Sequence, residues 1–312
     1  TDVLDPDVNG EKSTAITLNL SVPDAYLYPG TRAGHEGHRL RFVAKLFKME
    51  DTGNETFMEK KEILSDEGNL IVFHKPEGKY RVKLFADYID ESAEANEKGC
   101  YPDKYYDTSS TGNSVTMLAI QNKEGSVVYP DKCNINNDNY DCFALVADFT
   151  KEALTYNEKM TLTRAVSKVR IINSGGNPVG VEKIRITAFS FLHEYDFTTK
   201  ASAPRIDVSS QNLEKYPIEF QPSGTLNGEL FYFYTFGFYS DGLNTISFDI
   251  IPKEYYEYAP CTIPAAKIKP KCNYIYNVKG NFLNPSIFPT NEIILEVSAD
   301  EKWSNSGSDV SI

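Results

Sequence analysis

Apolar and polar residues alternate along most of this chain with a period of two. In residues 14–22 (TAITLNLSV), Ile16, Leu18 and Leu20 share one face. In 39–49 (RLRFVAKLFKM) the shared face carries Leu40, Phe42, Ala44 and Leu46, and in 78–88 (GKYRVKLFADY) it carries Tyr80, Val82, Leu84 and Ala86. Residues 143–149 (FALVADF) align Phe143, Leu145, Ala147 and Phe149. Such alternation predicts strands with one face in the core and one in solvent. Residues 160–172 (MTLTRAVSKVRII) alternate too, but the apolar parity slips between Val166 and Val169, which predicts a bulge or a bend. Residues 181–192, 229–239, 245–251, 274–282 and 292–299 complete the set, the second of them (ELFYFYTFGFY) being aromatic on both faces. The best helical candidate, Tyr88–Lys98, is polar all round and reads as an excursion between strands.

Turn residues punctuate these runs, at Pro29-Gly30, Glu77-Gly78, Gly175-Gly176-Asn177-Pro178, Asp241-Gly242 and Asn284-Pro285. Many short strands without interleaved helices predict an all-β protein of antiparallel sandwiches. A length of 312 residues predicts two domains. The polar link TKEALTYNEK (150–159) places the boundary, giving an N-terminal domain over 1–155 and a C-terminal domain over 156–312.

The net charge of -12 repels phosphate backbones and anionic membrane surfaces, so nucleic acid is not an expected partner. No run of 18 apolar residues predicts a transmembrane helix. The opening at Thr1, acidic and without a signal peptide, is what a processed chain would show. The five cysteines leave two pairings open, Cys133 with Cys142 and Cys261 with Cys272, beside the reading in which all are buried thiols.

Candidate chemistry is sparse. Asp5-Pro-Asp7-Val-Asn9-Gly10 matches the first half of a calcium loop, but Ile16 stands where the bidentate acid should be. His35 and His38 have metal-ligand spacing and no third ligand nearby. No GxSxG and no phosphate-cradling loop occurs, and no pair among the 44 acidic residues is singled out, so neither catalysis nor a cofactor is expected. A hydrolase on a β-scaffold would need two close carboxylates in a cleft. A glycan-binding surface would need exposed rather than buried aromatics among Tyr232, Tyr234 and Tyr239.

Three stretches carry a family resemblance. They are FHKPEGKYRV (73–82), LFADYIDESAEANEKGCYPDKYYDTSS (84–110) with its Ala86-Asp87-Tyr88 and Tyr105-Tyr106-Asp107-Thr108, and LTRAVSKVRI (162–171) with its Arg-Ala-Val-Ser-Lys-Val core. They resemble the fimbrillin-like proteins of Bacteroidetes, the subunits of type V pili. Asp141-Cys142-Phe143 departs slightly from the family's usual Asp-Ala-Phe.

The resemblance implies two transthyretin-like β-sandwich domains in tandem and a lipoprotein held at the outer membrane through a cysteine upstream of Thr1. It implies an arginine-specific protease that removes the first strand, and a groove then filled by the C-terminal strand of a neighbouring fimbrial subunit. A host or bacterial surface ligand would be a further partner. On this sequence the removable strand is 14–22, with Ile16, Leu18 and Leu20 facing the groove. The processing point is Arg32-Ala33, in the loop YPGTRAGHEGH (28–38). The donor side is Ile293, Leu295 and Val297 on one face, with Trp303 beyond them. A simpler reading makes 292–303 the last strand of the second domain. The expected role is thus a structural or adhesive fimbrial subunit, with a surface glycan-binding protein as the alternative.

Overall fold

The structure is a computed structural model; it describes residues 13–22, 35–118, 134–174, 180–199, 205–208, 213, 217–223, 228–237, 246–253, 258, 260–263, 268–283 and 296–300. The protein is all-β. The chain forms two compact units, Thr1–Val115 with Asp141–Arg164, and Thr116–Tyr140 with Ala165–Ile312.

The first unit contains β1 (Thr14–Ser21), β2 (His38–Met49), β3 (Glu55–Leu64), β4 (Leu70–Lys75), β5 (Gly78–Asp90), β6 (Tyr106–Asp107), β8 (Phe143–Lys151), β9 (Tyr156–Thr161) and β10 (Thr163–Arg164), with β7 (Ser114–Met117) where the chain crosses over. One sheet has the order β4-β1-β9 and the other β10-β8-β5-β2-β3. Their inner faces meet in one buried cluster. Ile16, Leu18, Leu20, Ile71, Phe73, Met160 and Leu162 come from the smaller sheet and its end, and Phe42, Ala44, Leu46, Tyr80, Val82, Leu84, Ala86 and Phe143 from the larger. This is a β-sandwich built from the period-2 faces of the sequence.

The second unit contains β11 (Val166–Asn173), β12 (Val181–Leu192), β13 (Glu194–Asp196), β14 (Arg205–Val208), β15 (Ile218–Phe220), β16 (Glu229–Phe236), β17 (Ile246–Pro252), β18 (Cys261–Ile263), β19 (Ile275–Gly280) and β20 (Glu296–Asp300). Its sheets run β16-β11-β19-β20 and β14-β12-β17-β18, with β15 also on β12. They pack through aromatic edges, as where the Phe231 ring of β16 meets Phe248 of β17 at 5.2 Å in a T-shaped pair.

The two units share a pairing pattern. β1 pairs antiparallel with β4 on one side and parallel with β9 on the other. β11 pairs antiparallel with β16 and parallel with β19.

Two expectations are corrected here. The single strand expected over 160–172 is three pieces. Met160 and Thr161 end β9 in one sheet, Thr163–Arg164 joins the other sheet of the same unit, and Val166 begins β11 of the second unit, so the chain changes partners at Leu162 and Ala165. The register irregularity in this region lies later, between Ile171 and Ile172 against β16. The unit boundary accordingly falls at Arg164/Ala165 rather than 155/156, because Met160 and Leu162 are buried in the first core, while 116–140 goes with the second unit.

Candidate functional site: the first strand and its groove

β1 alternates strictly. Ile16, Leu18 and Leu20 are at most 1% exposed, while Ala15, Thr17, Asn19 and Ser21 turn outward. Each inward side chain is worth about 1.5–3 kcal/mol of burial. The strand also fills two backbone ladders at once. Its register runs from Thr14 opposite Lys75 to Asn19 opposite Leu70 on β4, and from Ile16 opposite Tyr156 to Ser21 opposite Thr161 on β9. Further bonds fasten its C-terminal end. Leu20 N–H donates to the Asn69 carbonyl at 2.8 Å, and Leu162 N–H donates to the Ser21 carbonyl at 2.8 Å. The Asn69 amide donates to the Asn19 side-chain oxygen at 2.9 Å.

Without β1, therefore, β4 and β9 would both expose unpaired edges, with an apolar slot between them over the core. An extended segment with apolar residues at alternate positions would fit that slot, its backbone pairing on both sides. Ile16, Leu18 and Leu20 stand together as the sequence predicts.

The larger sheet is also covered on its outer face, which the sequence pattern does not reveal. The segment 101–114, holding the Tyr-Tyr-Asp-Thr stretch, lies against it through polar bonds. The Asp103 carboxylate accepts from Thr108 N–H at 2.8 Å and from the Thr108 hydroxyl at 2.9 Å, and also meets the buried Arg41. Lys45 Nζ donates to the Ser110 carbonyl at 2.6 Å, and Lys60 Nζ donates to the Thr108 hydroxyl at 3.1 Å. The Tyr106 ring stands edge-on to Phe85 at 5.2 Å. In Ala86-Asp87-Tyr88, Ala86 and Tyr88 point into the core and Asp87 points out to Arg41.

The second motif is equally internal. Arg164 and Asp141 form a bidentate pair, Nε to Oδ1 at 2.7 Å and Nη2 to Oδ2 at 2.8 Å, with the guanidinium 5.3 Å from the Phe143 ring centroid. Ser167 is buried and donates to the Lys271 carbonyl. Lys168 Nζ bonds Asp138 at 2.8 Å and sits 3.7 Å from the centroid of the Tyr232 ring.

That last contact bears on sugar stacking. Tyr234 is buried and donates its hydroxyl to Asp138 at 2.8 Å, and the Tyr232 ring carries the Lys168 ammonium. Tyr234 is thereby withdrawn from solvent, and one face of the half-buried Tyr232 ring is taken by Lys168. Tyr239 lies outside the described residues.

The two histidines are engaged locally. His35 stacks on Tyr88 at 3.6 Å, and His38 Nε2 shares a hydrogen bond with the Tyr105 hydroxyl at 2.8 Å. The Cys261–Cys272 pairing is not formed: Cys261 Sγ donates to the Phe282 carbonyl at 3.6 Å, and Cys272 Sγ donates to the Ala165 carbonyl at 2.9 Å. Cys133, Arg32, Ala33, Ile293, Leu295, Trp303 and the Asp5–Gly10 stretch lie outside the described residues. Val297 belongs to β20, opposite Val278 of β19, so 296–300 is a strand of the second unit's own sheet. Among the described residues β20 is an edge strand with one neighbour, and no helix is long and apolar enough to cross a membrane.

A family model described as a family of unknown function (DUF6562) matches residues 8–312. The chain belongs to this family. No curated protein matches it. Solved structures similar to this DUF6562 member include three fimbrial proteins. A fimbrial assembly protein from Parabacteroides distasonis is 15% identical, with a TM-score of 0.43 over 92% of this chain and 99% of that one. The tip fimbrial protein Mfa3 from Porphyromonas gingivalis, with C-terminal truncation, is 11% identical, with a TM-score of 0.44 over 92% of this chain and 99% of that one. The fimbrial anchor protein Mfa2 from the same organism is 13% identical, with a TM-score of 0.41 over 92% of this chain and 97% of that one.

Proposed function

We propose that the chain is a structural or adhesive subunit of a bacterial surface fimbria, joined to its neighbours by exchange of the first strand. The observation that supports this is the position of β1, the middle strand of its sheet, which fills both a core slot and two ladders. The motif resemblance at 73–110 and 162–171 points the same way. Cleavage after Arg32 would separate β1 from everything that follows Ala33 while leaving β2 through β10 continuous.

The donor in this reading is the C-terminal stretch with Ile293, Leu295, Val297 and Trp303. Among the described residues β20 pairs with one neighbour where β1 pairs with two, so a donor strand would give up one ladder and gain two. The subunit works outside the cell, without catalysis, and its partners are other fimbrial subunits.

The test begins with limited digestion by an arginine-specific protease, expected to give one trimmed core beginning at Ala33. A synthetic peptide covering 291–312 is then added to that core after mild denaturation strips off the cut strand. Saturable binding, abolished by a peptide with Leu295 and Val297 replaced by Asp, is the expected result. Resistance at Arg32, cleavage at many sites, or a trimmed core that ignores the peptide would overturn the reading.

A further inference from the structure

On the outer face of the larger sheet in the first unit, three groups of complementary chemistry converge on one nitrogen. Lys83 extends from β5, and its side chain is fully buried. Its Nζ lies 4.0 Å from the centroid of the Phe47 ring. The same Nζ contacts the Glu55 carboxylate and the Asn113 carboxamide oxygen. Glu55 is fixed by its other oxygen, which accepts from Arg81 Nη1 at 3.1 Å. Asn113 immediately precedes β7 and is exposed on its far side.

We propose that Lys83 and Asn113 form an intramolecular isopeptide bond, with Glu55 carrying the protons. The Glu55 carboxylate touches the same nitrogen that touches the Asn113 carboxamide, so it is placed to take a proton from that nitrogen as it attacks. Glu55 accepts one proton from the Lys83 ammonium. The freed lone pair on Nζ attacks Cγ of Asn113, already held against it, so the step gains the advantage of a positioned intramolecular reaction. A second proton passes from Nζ to Nδ2 through the same carboxyl group. The Nζ–Cγ bond forms, the Cγ–Nδ2 bond breaks, and ammonia departs through the exposed side of Asn113, taking the first proton with it as ammonium. Glu55 ends as the carboxylate it was, and no oxidant or further reactant is needed. The product is an amide tying β5 to the segment that crosses the sheet's outer face.

Mass spectrometry of the intact, folded chain tests this. The expected mass is lower than that of the sequence by one ammonia, and proteolysis is expected to yield a branched peptide joining the residues around Lys83 to those around Asn113. The Asn113→Ala variant, altered at an exposed position, should fold by circular dichroism and show its full sequence mass. Glu55→Gln should leave the link unformed or greatly slowed. An intact mass equal to the sequence mass in the folded parent would overturn the proposal. So would an ammonia loss that fragmentation places in a linear peptide, as a succinimide at Asn113-Ser114.

Discussion

Arg41 and Asp87 meet through two parallel hydrogen bonds, Nε to Oδ1 at 2.9 Å and Nη2 to Oδ2 at 2.7 Å, with both side chains wholly buried. The remaining guanidinium protons reach Glu62 at 3.3 Å, the Tyr101 carbonyl at 3.2 Å and Asp103 at 2.8 Å, so every donor of the fork has an acceptor. This one cation joins β2, β3, β5 and the segment that covers them.

Arg41→Met would leave the Asp87, Glu62 and Asp103 carboxylates facing one another with only Lys60, 2.7 Å from Glu62, to offset them. The loss is expected to be about 3–5 kcal/mol, because breaking a buried ion pair from one side strands the other charge. A urea titration followed by circular dichroism checks it. Arg41→Lys should recover only part, since an ammonium keeps the charge but lacks the planar fork.

Leu18→Ala removes the central inward side chain of β1. With Leu18 fully buried and flanked by Ile16 and Leu20, the expected cost is about 2–5 kcal/mol, the range for deleting a core leucine. Thr17→Ala, on the outer face of the same strand, should change stability by less than about 1 kcal/mol. Equal effects in thermal unfolding would show that β1 is not seated as described.

How far the sequence displays this architecture depends on the kind of interaction. β1, β2, β5 and β8 are legible because their apolar residues alternate against solvent or a polar face. β3 (ETFMEKKEIL) is not, because it is an edge strand whose charged residues serve the Arg41 cluster and protect the edge. The covering segment 101–114 has no period at all, since single polar bonds hold it. Arg41 and Asp103 are 62 positions apart, a pairing no local pattern displays. The surroundings of Tyr232 and Tyr234 are not legible in the sequence for the same reason. Asp138, which accepts from the Tyr234 hydroxyl, and Lys168, which lies over the Tyr232 ring, come from distant segments.

Lys45 is buried with one hydrogen bond, to the Ser110 carbonyl. Burial, reinforced by the nearby Lys60 charge, pushes its ammonium down to about 8. A base whose folded value lies below its ordinary 10.5 releases its proton early in the folded protein. Between those two values the unfolded chain binds more protons, so this lysine's contribution to stability rises with pH. Below about 8 the penalty is present in full. Lys45→Met is therefore expected to be more stable than the parent at pH 7, by about 1–3 kcal/mol. That margin should shrink steadily between pH 8 and pH 10.5, as measured by urea midpoints across the range.

Asp138 behaves in the opposite sense. Burial alone would raise its carboxyl, but the Lys168 ammonium and the hydroxyls of Tyr234 and Tyr232 outweigh that and hold it below the ordinary 3.8. A carboxylate depressed in the folded state contributes stability that is complete above the unfolded value and lost as pH falls through the folded one. Asp138→Asn should thus cost about 1.5–3 kcal/mol near neutral pH, where the three charge-assisted hydrogen bonds from Lys168, Tyr234 and Tyr232 are weakened. The gap between variant and parent should begin to close near pH 4 and be largely gone once the parent's carboxyl is protonated. Urea unfolding of both proteins at pH 7, 4 and 2.5 reads this directly, and a gap that stays constant with pH would show that Lys168 holds Asp138 by packing rather than by charge.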